Sequence, residues 1–526
     1  MRATTLLFAI LSFASPAAAQ IVLDDDVPDD GSEFVLVPFE VPAGTVEIEI
    51  RHDDGSDANI LDWGVLDPDG FRGWGGGNSE PAIVGELAAS RSYVPGPLSA
   101  GTWRIVIGKA LIAEPPGHYH VEIDLRTVAT LAPQTERAPY VPVAALEAGS
   151  RWYAGDFHVH SRESGDAQPT IDTLADFARG RGLDFVELSD HNTDSQVSLI
   201  VDAQSRHADL LLLPGVEFTT YHGHANGIGA TSYVSHLIGV DGQTIGMAVD
   251  ALHAQGALFS INHPALDLGD MCLGCAWEQD VPVDQIDAIE IETGGWMQAG
   301  QYFTSRVLTM WDEMCATGRH VTPIGGSDDH RAGMGTGGFD SPIGDPTTLV
   351  YADELSVAAI LEAVRAGHTV VKLQGPSDPM LELTAGDAMV GDTITDTHTT
   401  LTLRVTGGMG NTVRFVHDGV RMDAIAVDAD PFVTTLEVDA PYGDAEARWR
   451  AELYVGRDPR VVTSHLWIAP QPGSPPDAGP AGVDAGASEP PGDGCGCRVG
   501  SSTRPTTMAS ALLLAIGLVS RRRRQR

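Results

Sequence analysis

Asp156-Phe157-His158-Val159-His160 and Phe185-Val186-Glu187-Leu188-Ser189-Asp190-His191-Asn192 are two short apolar runs, each ending in side chains able to bind a metal or carry a proton. On a strand, positions two apart share a face, so His158 and His160 point the same way and can grip one cation. The pattern recurs four times. Leu210-Leu211-Leu212-Leu213-Pro214-Gly215-Val216-Glu217 delivers a carboxylate at the end of an apolar run. Gly223-His224-Ala225-Asn226-Gly227, Ser260-Ile261-Asn262-His263-Pro264 and Gly325-Gly326-Ser327-Asp328-Asp329-His330 complete the series.

Around these motifs the pattern predicts strands at 156–159, 185–188, 210–213, 258–261, 288–291, 321–324, 348–351 and 369–372. Helices are predicted between them, for example over 171–181, 245–254, 302–315 and 355–366. Such alternation predicts a parallel α/β core with enough strands for a barrel. Barrels of that kind gather their reactive groups at the C-terminal ends of the strands. A single strand-terminal His or Asp is usually a cap or a surface group. Six in succession would bury many ionisable groups together, which is costly without cations to pair them. The series therefore predicts a shared metal centre, with Glu217 placed to bridge two cations through its two oxygens.

The flanks differ. Residues 20–130 read as short strands (34–37, 46–50, 103–107, 119–123) parted by Gly/Pro/Asp turns, and predict a β-sandwich with a binding or spacer role. Residues 376–468 return to alternating strands (401–405, 412–417, 434–438, 449–454) and predict a second one. Residues 469–494, rich in Pro, Ala, Gly, Asp and Ser, predict a disordered linker.

Both ends carry targeting patterns. Arg2, the apolar run 6–13 and Ala17-Ala18-Ala19 predict a signal peptide over 1–19, and hence export. At the other end, Gly494-Cys495-Gly496-Cys497-Arg498 precedes an apolar run at 508–519 and Arg521-Arg522-Arg523-Arg524. The segment 495–526 resembles the C-terminal sorting signals of myxobacterial surface proteins. That resemblance implies a sorting machinery at the membrane as partner, and retention at the cell surface.

With 526 residues the chain is too long for one core. Its formal net charge of -40 disfavours long nucleic acids as partners but not a small anion held by metal ions. Five cysteines make no disulfide scaffold. Cys272-x-x-Cys275 can form a local disulfide or bind metal, with Cys315 left over in the body of the chain.

The series from His158 to His330, with the Ser164-Gly165-Asp166 variant after the first histidine pair, resembles the PHP (polymerase and histidinol phosphatase) superfamily, and within it the CehA/McbA-type metallohydrolases. The resemblance covers residues 150–374. It implies a distorted (β/α)7 barrel, here flanked by two β-sandwich-like domains, with two or three divalent metal ions (Zn, Mn or Fe). Residue by residue it implies His158, His160, Asp166, His191, Glu217, His224, His263, Asp328 and His330 as metal ligands. Asp190 is implied as a ligand or an orienter of an imidazole, and His222 and Asp329 as supports beside ligands.

The implied activity is metal-dependent hydrolysis. A phosphoester is the first expectation for the substrate. A carboxylester or carbamate, short oligonucleotides, and a noncatalytic surface-binding role are the alternatives. Glu217 would bridge the metals, and His263 or His224 would protonate the leaving group. Arg162 and Arg331 are candidates to steer an anion. Trp277, Trp296 and Trp311 are candidates for an apolar pocket wall, or for core.

Overall fold

Seven strands follow one another as neighbours in a single sheet: Ala148–Val159, Phe185–Leu188, Leu211–Thr220, Gly223–Ile228, Leu258–Ile261, Ala288–Thr293 and Thr322–Gly326. They belong to a computed structural model that describes residues 19–333 and 341–473. The expected signal peptide up to residue 18, the linker beyond 473 and the sorting segment lie outside the described residues. Four helices lie between the strands: Ile171–Gly180, Val197–Arg206, Ile245–Ala254 and Gln301–Cys315. Thr170 and Thr244 start two of them, each hydroxyl accepting a hydrogen bond from the backbone N–H three residues on. Helix Ile171–Gly180 buries Ile171, Leu174, Ala175 and Ala178, one face at helical spacing.

The expectation of a parallel core needs correction. Strand Gly223–Ile228 runs antiparallel to both of its neighbours. Only Tyr221 and His222 separate it from the strand before, too short a link for the crossover that a parallel pair requires. The two ends of the seven-strand run approach each other. Val159 and Asp329 form an isolated parallel bridge. Around it the Asp328 N–H donates to the His158 carbonyl at 2.8 Å, and the His160 N–H to the Asp329 carbonyl at 3.0 Å. The run thus curls until its ends touch through a few backbone bonds, but no continuous ladder closes it among the described residues.

The same sheet continues past the first strand. Thr347–Glu354 pairs antiparallel with Ala148–Val159, and Thr369–Lys372, Asp458–Thr463, Ala447–Val455 and Thr412–His417 follow in order. Against this extension packs a second sheet of Met380–Ala385, His398–Thr406 and Phe432–Asp439, around Leu381, Leu403, Val405, Phe415, Leu453 and Val461. The C-terminal β region therefore shares one of its layers with the central sheet.

At the other end, two four-stranded antiparallel sheets enclose Ile48, Ile50, Trp63, Trp103, Ile107 and Ile123. Strand His118–Arg126 alternates buried and half-buried positions throughout, as a strand in one layer of such a pair must. Among the described residues, no helix is long and apolar enough to cross a membrane.

Candidate metal centre

His158, near the end of strand Ala148–Val159, and His160, just beyond it, are fully buried. Glu217 lies midway along Leu211–Thr220, also fully buried, and bridges in parallel to His191. The imidazoles surround this carboxylate. His158 Nε2 is 3.3 Å from Glu217 Oε1, His224 Nδ1 3.3 Å and His263 Nε2 3.4 Å. On the other oxygen, His191 Nδ1 lies 2.6 Å and His160 Nε2 3.6 Å from Oε2. Asp328 Oδ1 reaches His160 Nε2 at 3.1 Å and His158 Nε2 at 3.3 Å. Asp166 Oδ2, at the exposed edge, is 3.3 Å from His330 Nε2 and 3.7 Å from His191 Nε2. All nine residues singled out from the sequence as ligands thus converge on one place.

The donor atoms fall into overlapping groups, each compact enough for one ion. They are His158 with His160 and Glu217, His158 with His263 and Asp328, His160 with His191 and His330, and His224 with His263 and Cys275. His158 Nε2, Glu217 Oε2 and His224 Nε2 are buried and make no well-directed hydrogen bond within the protein. Buried polar atoms are seldom left so. Divalent cations suit this set: imidazole nitrogens and carboxylate oxygens are the donors of zinc, manganese and iron sites.

The charges agree. Burial alone would depress the His158 pKa, yet the carboxylates of Glu290, Glu217 and Asp328 override it and hold it well above its ordinary value. Burial likewise opposes ionisation of Glu217, but the imidazoles of His191, His158 and His224 outweigh that and pull it well down. His160, buried and facing His330 and His191, falls to about 3. In the bare protein, protonated imidazoles balance the carboxylates; cations would displace those protons.

Groups behind the donors fix their orientation. His158 Nδ1 is 2.8 Å from Glu290 Oε1, and the His263 N–H donates to Glu290 Oε2 at 2.8 Å. His160 Nδ1 meets Ser164 Oγ at 3.0 Å, and His263 Nδ1 donates to the Cys275 carbonyl at 3.0 Å. Asn262 Nδ2 donates to Glu217 Oε1 at 3.0 Å. Such contacts set which ring nitrogen would face a bound metal. Two of the nine residues, His263 (φ 29°) and Asp328 (φ 57°), adopt left-handed backbone, strain of the kind found where a site over-determines its geometry.

Other residues named from the sequence fall elsewhere. The Asp190 carboxylate accepts from the Ser161 N–H at 2.7 Å, the Ser161 hydroxyl at 2.7 Å and the Ser164 N–H at 3.0 Å, so it pins the loop after His160. Asp329 accepts from the backbone N–H groups of Arg331, Ala332 and Ile343. His222 turns away from the cluster, to Glu33 Oε1 at 2.8 Å and Glu278 Oε2 at 3.3 Å; the backbone turn that aims His224 inward aims His222 outward. Arg162 lines a neighbouring cavity of about 340 Å³ with Arg91, Arg137 and Arg206. Trp296 and Trp311 belong to the core, and half-buried Trp277 packs against it.

Glu290 went unrecognised in the sequence. Ala288-Ile289-Glu290-Ile291-Glu292-Thr293 alternates like a half-exposed strand, yet all six residues are buried, because one face of the strand turns toward the histidine cluster. Alternation with glutamate in an otherwise buried α/β core was the available signal.

No family model matches the sequence, and neither does any curated protein. Among solved structures, a two-domain protein from Bacteroides vulgatus containing a predicted PHP-like metal-dependent phosphoesterase is 18% identical, with a TM-score of 0.36 over 64% of this chain and 100% of that one. A protein from Bifidobacterium adolescentis provisionally named a metal-dependent phosphoesterase is 16% identical, with a TM-score of 0.24 over 40% of this chain and 95% of that one.

Proposed function

We propose that the chain is an exported metal-dependent hydrolase of the PHP type, acting first of all on phosphoesters. The convergence of nine His, Asp and Glu side chains around buried Glu217 carries this reading. His158, His160, Glu217 and Asp328 would hold one cation, and Glu217, His224 and His263 a second. Asp166, His191 and His330 would hold a third. Zinc, manganese or iron there would supply Lewis acidity, lowering the pKa of water toward ~7 and drawing charge from the phosphoryl oxygens.

The protein's own groups do the rest. Glu217, with imidazoles on both of its oxygens, would lie between two cations and keep their spacing. Glu290 and Ser164 hold the His158 and His160 rings in register. His224 and His263 each present a ring nitrogen to Glu217, and whichever stays outside the coordination shell can pass a proton to the leaving group. The overlapping groups favour a phosphoester, whose charge several cations would match. Carboxylester or carbamate hydrolysis of the CehA/McbA type is the second reading, supported by the motif resemblance alone. Export and surface retention are inferred from the terminal sequence patterns.

A panel of p-nitrophenyl phosphate, bis-p-nitrophenyl phosphate and 1-naphthyl esters, with metal analysis, tests the proposal. Turnover of the phosphoesters is expected, and the double change His158→Ala, His160→Ala should remove metal and turnover together. Full activity in that variant after its metal is stripped would end the proposal.

A further inference from the structure

A disulfide joins Cys272 to Cys275 in the segment after His263. Its place is unusual. Cys275 Sγ lies within 4.8 Å of ligand nitrogens of both His224 and His263, and all three residues are buried. His224 Nε2 is buried without a hydrogen-bond partner. The Cys275 carbonyl accepts from His263 Nδ1, so the cysteine backbone already orients one of the two imidazoles. A sulfur bonded to another sulfur is a poor metal ligand, whereas a thiolate is a strong one for zinc.

We propose that Cys272–Cys275 is a redox-gated ligand: when the disulfide is reduced, Cys275 joins His224 and His263 around one divalent cation. This rests on the metal-centre reading above and extends it. A dithiol supplies two electrons and two protons. The Cys272–Cys275 bond breaks, two thiols form, and the dithiol becomes a disulfide. On metal binding the Cys275 thiol releases its proton to solvent, and sulfur takes a coordination position. Oxidised, the centre offers only nitrogen and oxygen donors; reduced, it gains a soft one. Softer donors favour zinc over manganese, so the redox state would select the metal.

Cobalt(II) reports this directly, because thiolate ligation gives an intense near-ultraviolet charge-transfer band that nitrogen and oxygen donors do not. The full chain would be loaded with cobalt oxidised, and again after reduction by a non-chelating phosphine. The band is expected only in the reduced protein. Cys275→Ser should lose it under both conditions. Cys272→Ser, which leaves Cys275 free, should show it without reductant. Cobalt bound in reduced wild type and in Cys272→Ser without the band would overturn the inference and leave the metal centre standing. Failure of every form to bind cobalt would overturn both.

Discussion

The guanidinium of Arg91 donates to the Gly165 carbonyl at 2.9 Å and also to the Ala167 carbonyl at 2.9 Å, gripping the backbone on both sides of Asp166. Arg91 belongs to the N-terminal β region, and Asp166 faces His330 and His191. Ser92 adds a hydroxyl bond to the Glu163 carbonyl at 2.7 Å. The N-terminal sheets thus hold the loop that carries one predicted ligand. Sequence alone suggested only a spacer or binding role for that region.

Replacing Arg91 with Ala should loosen this loop and weaken metal retention by about tenfold, the lower end for supports behind a ligand. Arg91→Lys should rescue little, since one ammonium cannot span both carbonyls in the way that a planar fork does. Metal titration alongside circular dichroism checks this. Unchanged metal affinity in a folded Arg91→Ala protein would show that the grip is incidental.

Glu290 holds His158 Nδ1 and the His263 N–H with its two oxygens. Glu290→Gln keeps the shape but removes the charge and turns one acceptor into a donor. Metal affinity should fall by roughly 10–100-fold. Isothermal titration with zinc would measure it. A loss below about threefold would show that the carboxylate serves packing instead.

These two residues mark where sequence reading stops. His158, His160, Glu217 and His263 were legible because each sits in or just beyond an apolar run, where a costly group needs a reason, and His224 and His330 through the motifs around them. Glu290 was hidden, since alternation along one strand does not say which face is solvent. The antiparallel strand Gly223–Ile228 was hidden too, because Gly223-His224-Ala225-Asn226-Gly227 carries turn-forming residues and little strand propensity. Its strand state is imposed by pairing on both sides. Arg91 and Asp166 lie 75 positions apart by their numbering, and no local pattern joins them.

Away from the metal centre, Asp312 lies 2.5 Å from Arg450 Nη1 and 3.7 Å from His465 Nε2. Burial would raise its pKa, but the nearby His465 ring, the Arg450 hydrogen bond and the guanidinium charge outweigh that, bringing it from 3.8 to about 2. A carboxylate depressed in the folded state stabilises fully above its unfolded pKa and loses that contribution as pH falls through the folded one. The loss should therefore run from near 3.8 down to about 2, and amount to on the order of 2 kcal/mol. Urea unfolding across that window should show Asp312→Asn with a flatter acid limb than wild type. Parallel limbs would remove Asp312 from the account.

Gly326 tests how tightly the centre is built. An added Cβ there would lie 2.3 Å from His158 Cβ and 2.5 Å from Glu290 Oε1. Neither neighbour can yield, because one is the root of the His158 side chain and the other holds the His158 ring. Gly326→Ala should therefore cost about 1–3 kcal/mol in stability and displace His158, with metal lost from its group first. Gly246, inside helix Ile245–Ala254, is the control: nothing lies within 4 Å of a Cβ there. Gly246→Ala should stabilise by up to about 1 kcal/mol through helix propensity, with metal content unchanged. Thermal melts and metal analysis of the two variants separate a general cost of bulk from one specific to the His158–Glu290 contact. Full metal occupancy in Gly326→Ala would mean that the strand end can shift, and that His158 is held less firmly than its 2.8 Å contact with Glu290 implies.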